Sequence, residues 1–136
     1  MWMLDTNICS YILRKRPLVV KSHLEKVGPG NVSLSSIVLA ELYYGASRHP
    51  KSVEIRSDID DFVGRLWVFP WDRAAADQYG DIRSHLERQG TPIGAMDMLI
   101  AAHARSLDAV LVTNNLRHFD QVPGLRVEDW DSQILS

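Results

Sequence analysis

An α/β/α sandwich carrying four or five short parallel strands is the fold class this sequence predicts, and three observations predict it. Apolar runs of three to five residues recur at 2–4, 31–34, 67–69 and 109–113. Segments of helical length and periodicity separate each run from the next. Strands spaced this way pair in parallel through helical crossovers, and such a sheet is covered by helices on both faces.

Each element has its own signal. The run Trp2, Met3, Leu4 ends at Asp5, and residues 6–13 read as a short helix closed by Arg14, Lys15 and Arg16. Pro17 suits the first turn of a second helix through Val20, Leu24 and Val27, stopped by Gly28 and Gly30. After the strand at 31–34, Ser35 or Ser36 caps a helix to Ser47. Ile55, Ile59, Phe62, Val63 and Leu66 form a helical stripe over 53–66. The strand at 67–69 stops at Pro70. Asp72 then caps a long helix with Ala75, Tyr79, Ile82 and Leu86 on one face, and Gly90 closes it. A loop at 91–94 leads to a helix over 95–106, then to AVLVT (109–113), the clearest buried strand, and to a final extended segment at 125–127.

The 136 residues fit one domain, 1–136 with an ordered core to about 130, and 46% hydrophobic content suffices for a core without staples. The single Cys9 excludes an intramolecular disulfide and fits a reducing compartment. No signal-peptide pattern and no apolar run of about 20 residues is present, so a cytoplasmic protein with no membrane partner is expected. A net charge of −2 and a pI near 6.2 are not the bulk signature of a nucleic-acid binder, although net charge does not report local charge.

Three carboxylates stand in strongly apolar settings. Asp5 closes an apolar strand, at the sheet edge where functional crevices of parallel sheets lie. Glu41 is the only charge in IVLAELYYGA (37–46), and Asp97 the only one in IGAMDMLIAA (93–102). Capping or a dipole role accounts for Asp5 or Asp97 singly, but the three are better explained together. Two unit charges 4 Å apart repel by about 4 kcal/mol at an effective dielectric of 20. A cluster of this kind therefore calls for a cation, and an all-oxygen set selects Mg²⁺, with Mn²⁺ as substitute, over zinc. One Cys and five His without an H-x-x-x-H pair offer zinc no ligand set. Carboxylate-held metal at an open edge suits phosphodiester hydrolysis. Thr113, Asn114 and Asn115 end a strand on the same edge and can orient water or phosphate. Arg14, Lys15 and Arg16, the only dense basic run, and Arg117 are candidates for contacting RNA phosphates. His103 falls on a different face from Asp97 and is given no catalytic role.

Four motifs in order, LDTN (4–7), SSIVLAELYYGA (35–46), GTPIGAMDMLIAAHA (90–104) and LVTNNLRHFDQVPGLRVEDW (111–130), resemble the VapC toxins, which are PIN-domain ribonucleases. The resemblance implies a PIN fold, RNA cleavage with Mg²⁺ or Mn²⁺, Asp5 and Asp97 as principal metal ligands and Glu41 as a third acid. It implies Thr113, Asn115 and Asn7 as polar supports. It further implies a homodimer, a VapB-type antitoxin whose tail enters the acidic cleft, and structured RNA such as a tRNA anticodon stem-loop as substrate. Two positions depart from the pattern. Asn115 stands near where many PIN domains carry another Asp, and His118 stands where close relatives often carry Glu in an REF motif, here RHF. Single-metal chemistry is the resulting expectation. Two rival readings are a haloacid-dehalogenase-like phosphatase, whose second Asp would fall at Asn7, and a PIN-like interaction module with an incomplete site.

Overall fold

The computed structural model describes residues 1–131; the last five residues of the expected 1–136 domain lie outside the described residues. The chain runs β1 (Trp2–Leu4), α1 (Thr6–Arg14), α2 (Leu18–Val27), a 3₁₀ turn (Pro29–Asn31), β2 (Val32–Ser35), α3 (Ser36–Ser47), α4 (Ser52–Val63), β3 (Trp67–Phe69), α5 (Arg73–Gln89), α6 (Ala95–Ser106), β4 (Val110–Val112), α7 (Leu116–Phe119) and β5 (Arg126–Glu128). All strand pairs are parallel, in the order β3-β2-β1-β4-β5.

Local chemistry sets most boundaries. Asp5 Oδ1 accepts from the Ile8 amide at 2.9 Å and Asp72 Oδ1 from the Ala75 amide at 3.1 Å, so both helices start on an aspartate cap. Ser35 caps α3 in the same way through the Ile37 amide. Gly90 ends α5 at φ +69°, a conformation that a side chain would strain. The β2 strand begins one residue later than predicted because Asn31 is held in the preceding turn, donating to the Val27 carbonyl. The helix expected over 53–66 stops at Val63; Gly64 to Leu66 close it with turn hydrogen bonds while Leu66 still packs on the core. The four-residue α7 was not predicted from the sequence.

Met3, Leu4, Leu34, Leu111 and Val112 fill the sheet centre with no exposed surface. Helices close over both faces, because the crossovers run one way from β1 through β3 and reverse to reach β4. At the edge strand β3, Trp67 and Val68 remain exposed. Among the described residues no helix is long and apolar enough to cross a membrane.

The reversal puts the topological switch point of the sheet between the carboxyl ends of β1 and β4, where functional sites of parallel sheets lie. Leu4 pairs with Val112, so Asp5 and Thr113 emerge side by side, fixed by the Asp5 amide donating to the Val112 carbonyl at 3.0 Å.

Candidate active site

Asp5 is the buried member of the acidic set, 7% exposed. Burial is the main cause that pushes its carboxyl up from 3.8 to about 6; Asp97 and Glu41, both near enough to act on it, push the same way. The hydroxyl of Thr113 and the Ile8 amide oppose this by hydrogen bonding. The structure thus brings the three predicted carboxylates to one edge, from the end of β1, the first half of α3 and the first turn of α6.

Burial differs from the sequence expectation for the other two. Glu41 and Asp97 are half-buried, since Tyr44 on one side and Met96 on the other are exposed. Their helices reach the open end of the sheet, so an apolar flank in sequence does not become an apolar wall in space. Glu41 Oε1 accepts from the Thr6 hydroxyl at 2.6 Å, which ties α3 to the residue following Asp5. Asp97 Oδ2 lies 3.5 Å from His118 Nδ1.

The polar residues of the β4 edge form one connected chain. Thr113 is fully buried; its hydroxyl donates to Asp5 and accepts from the Asn115 amide at 3.0 Å. The Asn115 side chain donates to His118 Nδ1 at 2.8 Å, and the Asn114 side chain to the Tyr11 hydroxyl at 2.7 Å. Asn7 lines an open groove of about 480 Å³ together with Thr6, Ser10, Arg14 and Glu41. Of the basic candidates, Arg14 therefore joins the acidic edge. Lys15 lines a separate groove with Lys21, Glu25 and Arg65. Arg16 and Arg117 are exposed.

Among the described residues, no group of three His, Cys, Asp or Glu side chains is preassembled to hold a metal ion. Each acid has a partner within the chain: the helix cap and Thr113 for Asp5, Thr6 for Glu41, His118 for Asp97. The donor set still fits a hard divalent ion. It is dominated by carboxylate, hydroxyl and amide oxygens. Mg²⁺ retains several waters and needs only one or two carboxylates.

Sequence reasoning missed three links: Thr6 to Glu41, Tyr11 to Asn114, and Ser35 to His103. His103, assigned no role, is 1% exposed, and its Nδ1 lies 2.7 Å from the Ser35 hydroxyl that caps α3. This contact holds the helix bearing Glu41 against the helix bearing Asp97. Burial lowers the His103 pKa, with Asp72 acting weakly the other way, so the fold favours the neutral ring. That contribution is present above the ordinary His pKa of about 6.5 and is lost as pH falls from there through the lowered native value. His103→Ala is expected to cost about 2–3 kcal/mol at pH 7.5, read by urea denaturation, with a smaller cost at pH 5.

A parallel sheet of order 3-2-1-4-5 with a carboxylate edge of this kind is the arrangement of a PIN domain, and the family model described as "PIN domain" matches residues 2–125. The tRNA(fMet)-specific endonuclease VapC of Shigella flexneri is 43% identical over 129 residues, covering 95% of this chain and 97% of that protein. Ribonuclease VapC2 of Rickettsia felis is 43% identical over 131 residues, covering 96% and 98%. Among solved structures, VapBC2 from Rickettsia felis bound to a DNA fragment from its promoter superposes with a TM-score of 0.89 at 40% identity, covering 96% of this chain and 98% of that one. DNA-bound VapBC from Salmonella typhimurium gives the same TM-score and identity, covering 95% and 97%. The chain belongs to the PIN-domain family, in its VapC ribonuclease branch. The phosphatase and inert-module readings give way to the nuclease reading.

Proposed function

We propose that this chain is a divalent-metal-dependent endoribonuclease, the toxin of a VapBC-type pair, that hydrolyses phosphodiester bonds in RNA. The observation that carries this is the meeting of Asp5, Glu41 and Asp97 at the switch point of the sheet, with the Asp5 carboxyl pushed up to about 6 by burial and by its two acidic neighbours. Asp5 and Asp97 would hold Mg²⁺, or Mn²⁺ in its place, with Glu41 as the third acid. When bound, the ion supplies positive charge against the scissile phosphate and makes water more acidic.

The chain's own residues do the rest. Thr113 fixes the Asp5 carboxylate, and Thr6 fixes that of Glu41. Asn7, Ser10 and Arg14 line the groove that leads from the acids, where the Arg14 guanidinium can pair with an RNA phosphate. Lys15, Arg16 and Arg117 add positive charge on the surrounding surface. A structured RNA such as a tRNA anticodon stem-loop is the favoured substrate, in keeping with the VapC relative named for tRNA(fMet). A VapB-type antitoxin is the expected inhibitor, an arginine of its tail matching the carboxylates in the cleft. The toxin is read as a homodimer of single-domain chains working in the cytoplasm, where Cys9 stays a buried thiol.

Purified protein incubated with total tRNA tests the reading. EDTA is expected to stop cleavage, and Mn²⁺ or Mg²⁺ added in excess to restore it. Cleavage that persists in EDTA would refute metal dependence, and intact RNA under every condition would refute the nuclease.

A further inference from the structure

Gly45 answers no demand of the fold. It lies inside α3, its φ is not in the left-handed region, and an added Cβ would meet nothing within 4 Å. Glycine within a helix is destabilising relative to alanine, so its use here gives up stability and gains no packing. What it gains is space. Gly45 lines the open groove of about 480 Å³ between α1, α3 and α4, which has Glu41 on its wall. That volume falls in the range of small-ligand sites, roughly 300–1,000 Å³. Leu42, Ala46, Ile55 and Ile59 give the groove an apolar floor. A charged phosphate chain gains nothing by lying on such a floor, whereas a flat and largely apolar ring does.

Arg14 stands at the rim of this groove in a defined attitude. Its guanidinium carbon sits over the Tyr11 ring, 5.4 Å from the centroid, and its Nε donates to the Ser10 carbonyl at 3.3 Å. Tyr11 is itself tied down, its hydroxyl accepting from the Asn114 side chain at 2.7 Å. Among the described residues Arg14 forms no ion pair with a carboxylate. Arg14 lines the groove and Tyr11 does not, so the guanidinium has one face on the phenol ring and the other toward the groove. A guanidinium plane stacks on a nucleobase as it does on an aromatic side chain, and its N–H edge is left for a phosphate. Asn7 and the Ser10 hydroxyl, also on the wall, offer donors and acceptors to the edge of a base.

We propose that this groove is a nucleobase subsite, taking one unpaired base next to the scissile phosphate, stacked on the Arg14 guanidinium in the space that Gly45 leaves. The proposal rests on the ribonuclease reading above and deepens it by naming the feature of the RNA that the site selects. A base inside a duplex is stacked on both sides and paired along its edge, so it enters the groove only by leaving the helix. Loops and bulges are therefore cut, and continuous duplex is not.

The test uses a stem-loop copied from the tRNA that the wild type cuts, with an abasic nucleotide placed in turn at each position flanking the cut. One abasic position is expected to lower kcat/KM by about 10–100-fold, the worth of one stacked base. Gly45→Leu fills the groove, and Arg14→Lys keeps the charge but loses the plane. Each variant should cut the intact RNA at close to the wild-type rate on that abasic RNA, and neither should lose more when the base is removed. Arg14→Lys carries the comparison should Gly45→Leu fail to fold, and the abasic scan of the wild type needs no variant. No penalty at any flanking position, or a penalty of the same size in the wild type and both variants, would overturn the proposal while leaving the nuclease intact. Variants that cut intact RNA like the wild type but lose binding of the antitoxin would make the groove a protein-docking surface, and would overturn it equally. A wild type that cuts no RNA would overturn both readings.

Discussion

Asp5→Asn is expected to abolish RNA cleavage and, at the same time, to raise the stability of the metal-free protein at neutral pH. The loss of activity follows from removing the buried ligand charge; several kcal/mol of lost transition-state stabilisation corresponds to about 10³-fold or more in rate. The gain in stability follows from linkage. Burial pushes the native Asp5 carboxyl up from its ordinary 3.8 to about 6, so the folded state holds its proton more tightly than the unfolded chain does. Stability from this group is complete below about pH 3.8, fades as pH rises toward 6 and is absent above it, at a cost of about 3 kcal/mol. Asn keeps the helix cap and carries no charge. Melting curves of the two proteins in EDTA should therefore nearly coincide near pH 4 and separate above pH 6, with the variant higher. Mn²⁺ should close the gap by stabilising only the wild type. A variant less stable than the wild type at pH 8 in EDTA would mean that the Asp5 charge is already satisfied by the fold.

Asp97→Asn is expected to lose cleavage to a similar extent, about 10³-fold, with little change in stability. Asp97 is about one third exposed, and its carboxylate has only the first-turn helix dipole and a 3.5 Å contact with the half-exposed His118, each worth a few tenths of a kcal/mol to about 1 kcal/mol. Replacing the charge by an isosteric amide at such a position is expected to change stability by no more than about 1 kcal/mol. A gel assay on a defined stem-loop gives the rate and a denaturant melt gives the stability. Retention of more than a tenth of the wild-type rate would remove Asp97 from the ion. The contrast between the two variants, both inactive but only one stabilised, separates an acid kept at the expense of stability from one standing at the surface.

Much of the framework could be read from short local patterns. Asp72 and Ser35 announce their helices because a cap needs only its own side chain and the next two or three amides. AVLVT announces a strand because apolar residues without a polar partner position suit a sheet covered on both sides. The small α7 was invisible for the converse reason: four residues carry no periodicity, and the helix is fixed by Phe119 entering the core. Glu41 and Asp97 were read as buried from their neighbours along the chain, and both proved half-exposed, since exposure at the end of a helix is set by what lies across the sheet edge. The links from Thr6 to Glu41 and from Ser35 to His103 span 35 and 68 positions, a separation over which no sequence pattern carries information.

The sequence by itself determined the alternation of strands and helices, the caps, and the three acids set in apolar stretches. Only the tertiary structure decided that β4 returns to the far side of β1, which sets Thr113 against Asp5 and turns His118 toward Asp97. The division has one physical cause. Propensity and capping act within a turn of helix or a few strand residues, whereas the field around a carboxylate is made by whatever side chains folding brings to it from anywhere in the chain.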